Sequence, residues 1–363
     1  MRKGILALAA AGLVVAGGLA ACGKSDDSGS SSGSKKAPYV GVILPDTKSS
    51  ARWETADRPL LKKAFDDAGV KSNIQNAQGD PNAFQTIADQ MITDGVNVLV
   101  ITDLDAGSGT AVIKKAQAAG IPVIDYDRLT IGGGAQYYVS FDNVQVGKLQ
   151  GQGLQKCLTD EKAPKGTVVA ELNGSPDDNN ATLFAQGYDS VLNPLYADGT
   201  YTKGPNQSVA KWDNAVAGTT FEQMLTSNNK IGGALVANDG MANSVIAVLK
   251  KDNLKMPVTG QDATVQGLQH ILDGDQCMTV YKAVQLEAKD ASELAIALAK
   301  GDKPSVTQSV MDPKLNKAVP SRLETPKAIY KDNVKDVVAD GYVTKDQLCT
   351  GDYAAKCAAA GIS

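Results

Sequence analysis

The sequence predicts an α/β protein of doubly wound parallel sheets, divided between two domains, and three observations predict it. Short apolar runs, nearly continuous as strands buried on both faces should be, alternate with amphipathic stretches of helical period. One run after another ends on Asp, Asn or Arg, the polar rim expected outside the carboxyl ends of the strands in an open parallel sheet. The 363 residues also exceed one ordinary core, at roughly 100–200 residues per domain.

In chain order, residues 1–21 read as a targeting segment: Arg2 and Lys3 precede an apolar stretch that runs to Ala21, and small residues lead into Cys22. The run from Leu19 to Cys22 resembles a bacterial lipobox, in which the cysteine takes a diacylglyceryl group and becomes the mature N-terminus. A transmembrane helix and a plain secretory leader are the alternatives. Residues 22–38 form a Gly/Ser-rich tether, too polar to fold and able to span roughly 20–25 Å as a coil. No later apolar run reaches the ~18 residues of a membrane span. A body outside the cytoplasm is expected, held to the cell membrane by lipid on Cys22.

Strands are expected at 39–44, 96–102, 121–126, 167–172, 233–237 and 257–260. Asp80 and Pro81 open a helix through Ile92, with the acid at the cap and the proline in the first turn. A second helix runs over 109–119 and stops at Gly120. The polar strand ends are Asp46, Asp103, Asp127 with Arg128, Asp142 with Asn143, Asn173, Asn238 with Asp239, and Gln261 with Asp262. Any one of them could simply cap the next helix. Their repetition in both halves points to a hydrogen-bonding crevice.

Lys and Arg total 36 against 40 Asp and Glu, a net charge of −4, which argues against a nucleic-acid groove. Without Arg2 and Lys3 the balance is 34 to 40, or −6. The single histidine, His270, leaves no histidine zinc cluster and almost no general base, and is read as exposed and inert. Neither glycine-rich phosphate motif occurs, and Asp103 to Gly107 lacks the rest of a calcium loop and reads as a turn. No metal and no cofactor are expected. Trp53 and Trp212, each flanked by charges, offer flat faces to the C–H side of a ring. With carboxylates, amides and cations around them, they suit a neutral polyhydroxylated ligand. Besides Cys22 there are four cysteines, open to three pairings in an oxidising compartment. Cys349 with Cys357, eight residues apart at the frayed end, is favoured, leaving Cys157 with Cys277.

SARWE at 50–54, YDR at 126–128, SFDN at 140–143 followed by Val146 and Gly147, GSPDDNNA at 174–181, GQD at 260–262 and MTVYK at 278–282 form an ordered set. The set resembles the type I periplasmic sugar-binding proteins, xylose-binding members above all, over residues 39 to 341. The resemblance implies two Rossmann-like lobes joined by a three-stranded hinge, 39–143 with 283–319 and 144–282 with 320–363, and crossovers near Asn143, Lys282 and Val319. It implies a monomeric, non-enzymatic protein whose lobes close on a monosaccharide and present it to an ABC permease and its ATPase. D-xylose is the first ligand expected, with glucose, galactose and arabinose as alternatives. Arg52 would donate to hydroxyls and Trp53 pack on the ring, beside Asp127 and Arg128 from the same lobe. Asp178, Asn180, Trp212, Asn238, Asp262 and Lys282 would come from the other, with Asp46 and Lys48 adjacent. Two other readings stand beside it. One is a same-fold sensor presenting ligand to a receptor or histidine kinase. The other is a lipid-anchored glycosidase using Asp127 and Asp178, although Arg128 and Lys282 should depress both carboxyls and leave poor general acids. The tail beyond Gly341 reads as a stabilising extension.

Overall fold

A computed structural model describes residues 37–362; the leader, Cys22 and the tether as far as residue 36 lie outside the described residues. The chain runs β1 (Tyr39–Leu44), α1 (Arg58–Asp67), β2 (Lys71–Asn76), α2 (Pro81–Thr93), β3 (Val98–Ile101), α3 (Ala106–Ala118), β4 (Val123–Tyr126) and β5 (Tyr137–Phe141). It continues through α4 (Asn143–Asp160), β6 (Thr167–Asn173), α5 (Asn179–Ala197), β7 (Tyr201–Ser208), α6 (Asn214–Ser227), β8 (Ile231–Val236), α7 (Asp239–Lys251), α8 (Val265–Asp273) and β9 (Thr279–Tyr281). The remainder is α9 (Val284–Ala299), β10 (Gln308–Asp312), β11 (Lys317–Glu324), β12 (Lys327–Ile329), α10 (Val334–Ala339), α11 (Lys345–Leu348) and α12 (Tyr353–Ala359).

The first sheet has strand order β10-β11-β5-β4-β3-β1-β2 and is parallel except at β10. Its inner strands β1, β3, β4 and β5 are buried along their whole length, which is why β1 and β3 are continuous apolar runs, and the buried Asp125 of β4 is met by the Thr130 amide and hydroxyl. Helices cover both faces: Leu61 and Phe65 of α1 and Leu294 of α9 pack on one, while Phe84 and Met91 of α2 and Val112 of α3 pack on the other. The second sheet runs β7-β6-β8, and single parallel bridges, Ala234 with Val258 and Gln261 with Val280, carry it on to β9 and β12. The expected strand at 257–260 is therefore a ladder segment with isolated pairings. Edge strands β2 (KSNIQN) and β7 (YTKGPNQS) carry no apolar run because only one flank is paired and their faces are half exposed.

Asp80 caps α2 as expected, accepting from the Asn82 and Ala83 amides. The helix expected at 109–119 starts earlier, at Ala106, because Asp105 accepts from the Gly107 and Ser108 amides and caps it. The segment read as a turn supplies that cap.

The chain leaves the first sheet after Phe141, and after β9 it continues into α9, whose Ala288, Ala291 and Leu294 pack on that sheet. The third crossover is corrected. β11 stays paired with β5 beyond Val319, with Glu324 opposite Phe141 and the Asp142 amide donating to the Glu324 carbonyl at 3.0 Å, so residues 320–324 belong with the first sheet. Two crossovers thus leave that sheet side by side.

Disulfides join Cys157 to Cys277 and Cys349 to Cys357, with Cα–Cα distances of 6.3 and 5.8 Å. The first closes a span of 120 residues and the second one of 8. Replacing both cysteines of the longer loop by serine should cost about 5 kcal/mol, and of the shorter about 2.5 kcal/mol, in denaturant unfolding. Equal losses would mean that native packing around each pair, not loop closure, sets its contribution. His270 is not exposed; it sits half-buried on α8 with Nδ1 3.5 Å from Asp275 Oδ2, and burial lowers its pKa. No helix among the described residues is long and apolar enough to cross a membrane.

Candidate ligand-binding site

The carboxyl ends of the strands of both sheets converge on one small cavity, of about 30 Å³. All ten principal residues singled out in the sequence line it: Arg52, Trp53, Asp127, Arg128, Asp178, Asn180, Trp212, Asn238, Asp262 and Lys282. Asp46 and Lys48 do not. Asp46 instead accepts from the Lys48 and Ser49 amides at 2.7 and 2.6 Å and from the Ser49 hydroxyl at 2.8 Å, and so shapes the loop that delivers Ser49 and Ser50 to the cavity. Lys48 is exposed, and both residues line an adjacent cleft that shares Arg128, Asp178 and Trp212 with the cavity.

Ser49, Ser50, Phe184 and Gln261 also line the cavity; Gln261 stood among the polar strand ends and Ser50 within a motif, but neither was carried into the ligand set, and Ser49 and Phe184 were not singled out. Phe184 follows Asn180 by four residues on α5, hence on the same helix face, and this spacing was the available signal. The serines carry none that sets them apart from ordinary loop residues.

Several rim residues both cap a helix and face the cavity, so the two readings of the polar strand ends hold together. Asp178 caps α5 by accepting from the Asn180 amide at 2.9 Å, while its other oxygen accepts from Trp212 Nε1 at 3.1 Å and lies 3.0 Å from Arg128 Nε. Asn238 caps α7 through the Met241 amide and reaches across to the Ser49 carbonyl at 3.3 Å. Asp127, Trp212 and Asp262 have φ of 64°, 55° and 95°, left-handed backbone that a non-glycine residue adopts at a cost. Such strain gathers where a side chain must be aimed.

Arg52 is less free than expected. Nε and Nη2 grip both oxygens of Asp57 at 2.9 and 2.7 Å, Nη2 also bonds Glu287, and Nη1 donates to Asp127 at 2.8 Å. Four of its five N–H groups are thus engaged within the chain. Its guanidinium lies over the Trp53 ring at 4.6 Å.

Asp127 also accepts from Asn180 Nδ2 at 3.1 Å and stands 3.5 Å from Lys282 Nζ, which is 3.4 Å from Asp262. Burial alone would raise the Asp127 pKa, but Lys282, Arg52 and Arg128 outweigh it and hold the carboxyl at about 2. Asp178 differs from the expectation: its burial prevails over Arg128 and raises its pKa. Arg128 also donates to the Asp103 carbonyl at 2.9 Å.

The cavity lining carries three cations, Arg52, Arg128 and Lys282, against three carboxylates, Asp127, Asp178 and Asp262, so its formal charge is zero. Three buried polar atoms on it, Arg128 Nε, Gln261 Oε1 and Asp262 Oδ1, have no hydrogen-bond partner within the described residues. They offer one donor and two acceptors to a ligand. Trp53 and Trp212 are each tied by the indole N–H, to Ser49 and Asp178, which fixes the ring orientation, and Arg52 and Arg128 lie 4.6 and 5.7 Å from the Trp53 ring centre. Gly174 makes room for Trp212: a Cβ there would lie 2.0 Å from the indole ring.

Residues 40–303 match the model of the periplasmic binding protein domain. The chain is 36% identical over 316 residues to a D-xylose-binding periplasmic protein of Escherichia coli, covering 85% of this chain and 92% of that protein. It is 35% identical to a multiple sugar-binding periplasmic receptor of Rhizobium radiobacter, covering 85% and 92%. Among solved structures, a carbohydrate transporter solute binding protein from Chloroflexus aurantiacus in complex with D-glucose is 30% identical with a TM-score of 0.78, covering 85% of this chain and 97% of that one. With its two sheets, its crossovers and a cavity between the strand ends, the chain belongs to the periplasmic binding protein family of type I fold.

Proposed function

We propose that this chain is a solute-binding protein that captures a neutral aldose, D-xylose or D-glucose first, and delivers it to an ABC importer. The observation that carries the reading is the charge-balanced cavity in which Arg128 Nε and Asp262 Oδ1, though ion-paired, and Gln261 Oε1 lack hydrogen-bond partners among the described residues, beside two tryptophans. A charged ligand would leave one of the buried charges uncompensated. An apolar one would leave the donors and acceptors unmet, whereas each sugar hydroxyl both donates and accepts. The relatives named for xylose and for several sugars, and the neighbour holding D-glucose, support the same class.

Binding by hinge closure fits the contacts between the rims: Asn180 with Asp127, Arg128 with Asp178, Ser50 with Asp262 and Asn238 with Ser49 join the two sheets' loops across the cavity. A ligand touching both rims favours the closed arrangement by its differential contacts. The lobes are then 39–143 with 283–324, and 144–282 with the rest of the body. The protein acts as a monomer, tethered through a lipid on Cys22. Asp127, ionised down to a pH of about 2, is no proton donor near neutrality, in keeping with a receptor rather than a glycosidase.

The test is a thermal-shift and calorimetric panel of D-xylose, D-glucose, D-galactose, L-arabinose and D-ribose. At a hundredfold excess over Kd the bound sugar should stabilise the fold by about 2.7 kcal/mol, with its epimers doing far less. No shift with any of the five overturns the reading.

A further inference from the structure

Asp57 and Glu287 are wholly buried carboxyls that do not line the cavity, yet both are bonded to a residue that does. Asp57 closes the π-helical turn Trp53–Asp57, grips Arg52 at two points and accepts from the Tyr126 hydroxyl at 2.5 Å. Glu287 stands in the first turn of α9, just past the crossover that carries Lys282, and its Oε2 meets Arg52 Nη2. Its Oε1 has no hydrogen-bond partner among the described residues. Burial, with Asp127 and Asp57 nearby, pushes its carboxyl up to about 8 despite Arg52 and Lys282. A carboxyl in such a place is costly unless its partner justifies it, and a planar guanidinium held on two edges has its remaining N–H aimed.

Deepening the sugar-binding reading, on which it rests, we propose that Asp57 and Glu287 are positioning residues of the site: together they fix the Arg52 plane, which in turn sets Asp127 and presents the last free Nη1–H to the ligand. Arg52 is then as much a scaffold for Asp127 as a donor to hydroxyls. Because Lys282 reaches the same Asp127 oxygen, the network also ties the start of α9 to the crossover.

The experiment is a double-mutant cycle read by calorimetry with D-xylose and D-glucose. E287A, which removes the acceptor of Arg52 Nη2, should raise the Kd of the sugar that the unaltered chain binds by ~10-fold, the size of a lost hydrogen bond to a charged donor. In an R52K background, where the planar fork is gone, the same change should cost less than about 2-fold, because coupled residues are not additive. E287D, which keeps a carboxyl acceptor at shorter reach, should recover part of the affinity and serves in the cycle if E287A does not fold. Equal losses in both backgrounds, or no loss in either, overturn the positioning role while leaving the sugar reading intact. An unaltered chain that binds neither sugar overturns both.

Discussion

Arg128→Ala is expected to weaken sugar binding by ~100-fold or more, about 3 kcal/mol, since hydrogen bonds to a buried cation contribute about 1.5–3 kcal/mol each. Arg128 Nε is the one buried guanidinium nitrogen of the cavity lining without a hydrogen bond inside the described residues, and its loss also strips Asp178 of its cation. The effect on the ligand-free fold should be smaller and should depend on pH. Burial pushes the neighbouring Asp103 carboxyl up to about 7, against the pull of Arg128. Below that pH the folded protein already holds the proton, so removing Arg128 costs little through Asp103. Above it, the variant must keep Asp103 protonated or bury an unpaired charge, while the unfolded chain ionises freely near pH 4. The ligand-free Tm of the variant should therefore fall further below the parent at pH 8 than at pH 5.5, with binding lost at both. A variant that binds sugar within a few-fold of the parent removes Arg128 from the site. One equally destabilised at both pH values removes Asp103 from the account.

Gly147→Ala should be among the most damaging single-methyl changes in the molecule, costing roughly 3 kcal/mol or more, the upper range of overpacking. A Cβ at Gly147 would lie 1.9 Å from the Phe184 carbonyl oxygen, and one at Gly187 would lie 2.2 Å from the Val144 carbonyl oxygen. Here α4 and α5 touch backbone to backbone, so no side-chain rotamer can relieve the clash. The helices must part, and α5 presents Asp178, Asn180 and Phe184 to the cavity. The folded fraction of the variant should thus bind sugar more weakly as well. Gly218→Ala on α6 is the control: its Cβ would meet Ser244 at an ordinary 3.5 Å, and alanine should stabilise that helix by about 0.5–1 kcal/mol. Denaturant unfolding of the two variants decides the matter. A Gly147 variant as stable as the parent would mean that α4 and α5 can slide apart freely.

The sequence by itself determined the parallel α/β layering, because inner strands buried on both faces are mainly apolar, as in YVGVIL of β1. Strand-end position alone pointed to Asp127, Arg128, Asn238 and Asp262, because a parallel fold sends the carboxyl ends of its strands to one place, whereas Arg52, Asp178, Asn180 and Lys282 were legible only through the ordered motifs of the resemblance. The tertiary structure decided what no local pattern encodes. The polar edge strands β2 and β7 exist only because neighbouring strands offer them a ladder. The third crossover lies past Glu324 because β11 keeps its pairing with β5. Arg52 looked like a free donor and is mostly engaged by carboxylates 5, 75 and 235 residues away in sequence. Gly147, legible only as part of a motif, has its reason in a helix contact made across 37 residues of chain. The sequence specifies the chemistry at each position, but distance, burial and the competition among charges for one another arise only when remote segments are brought together.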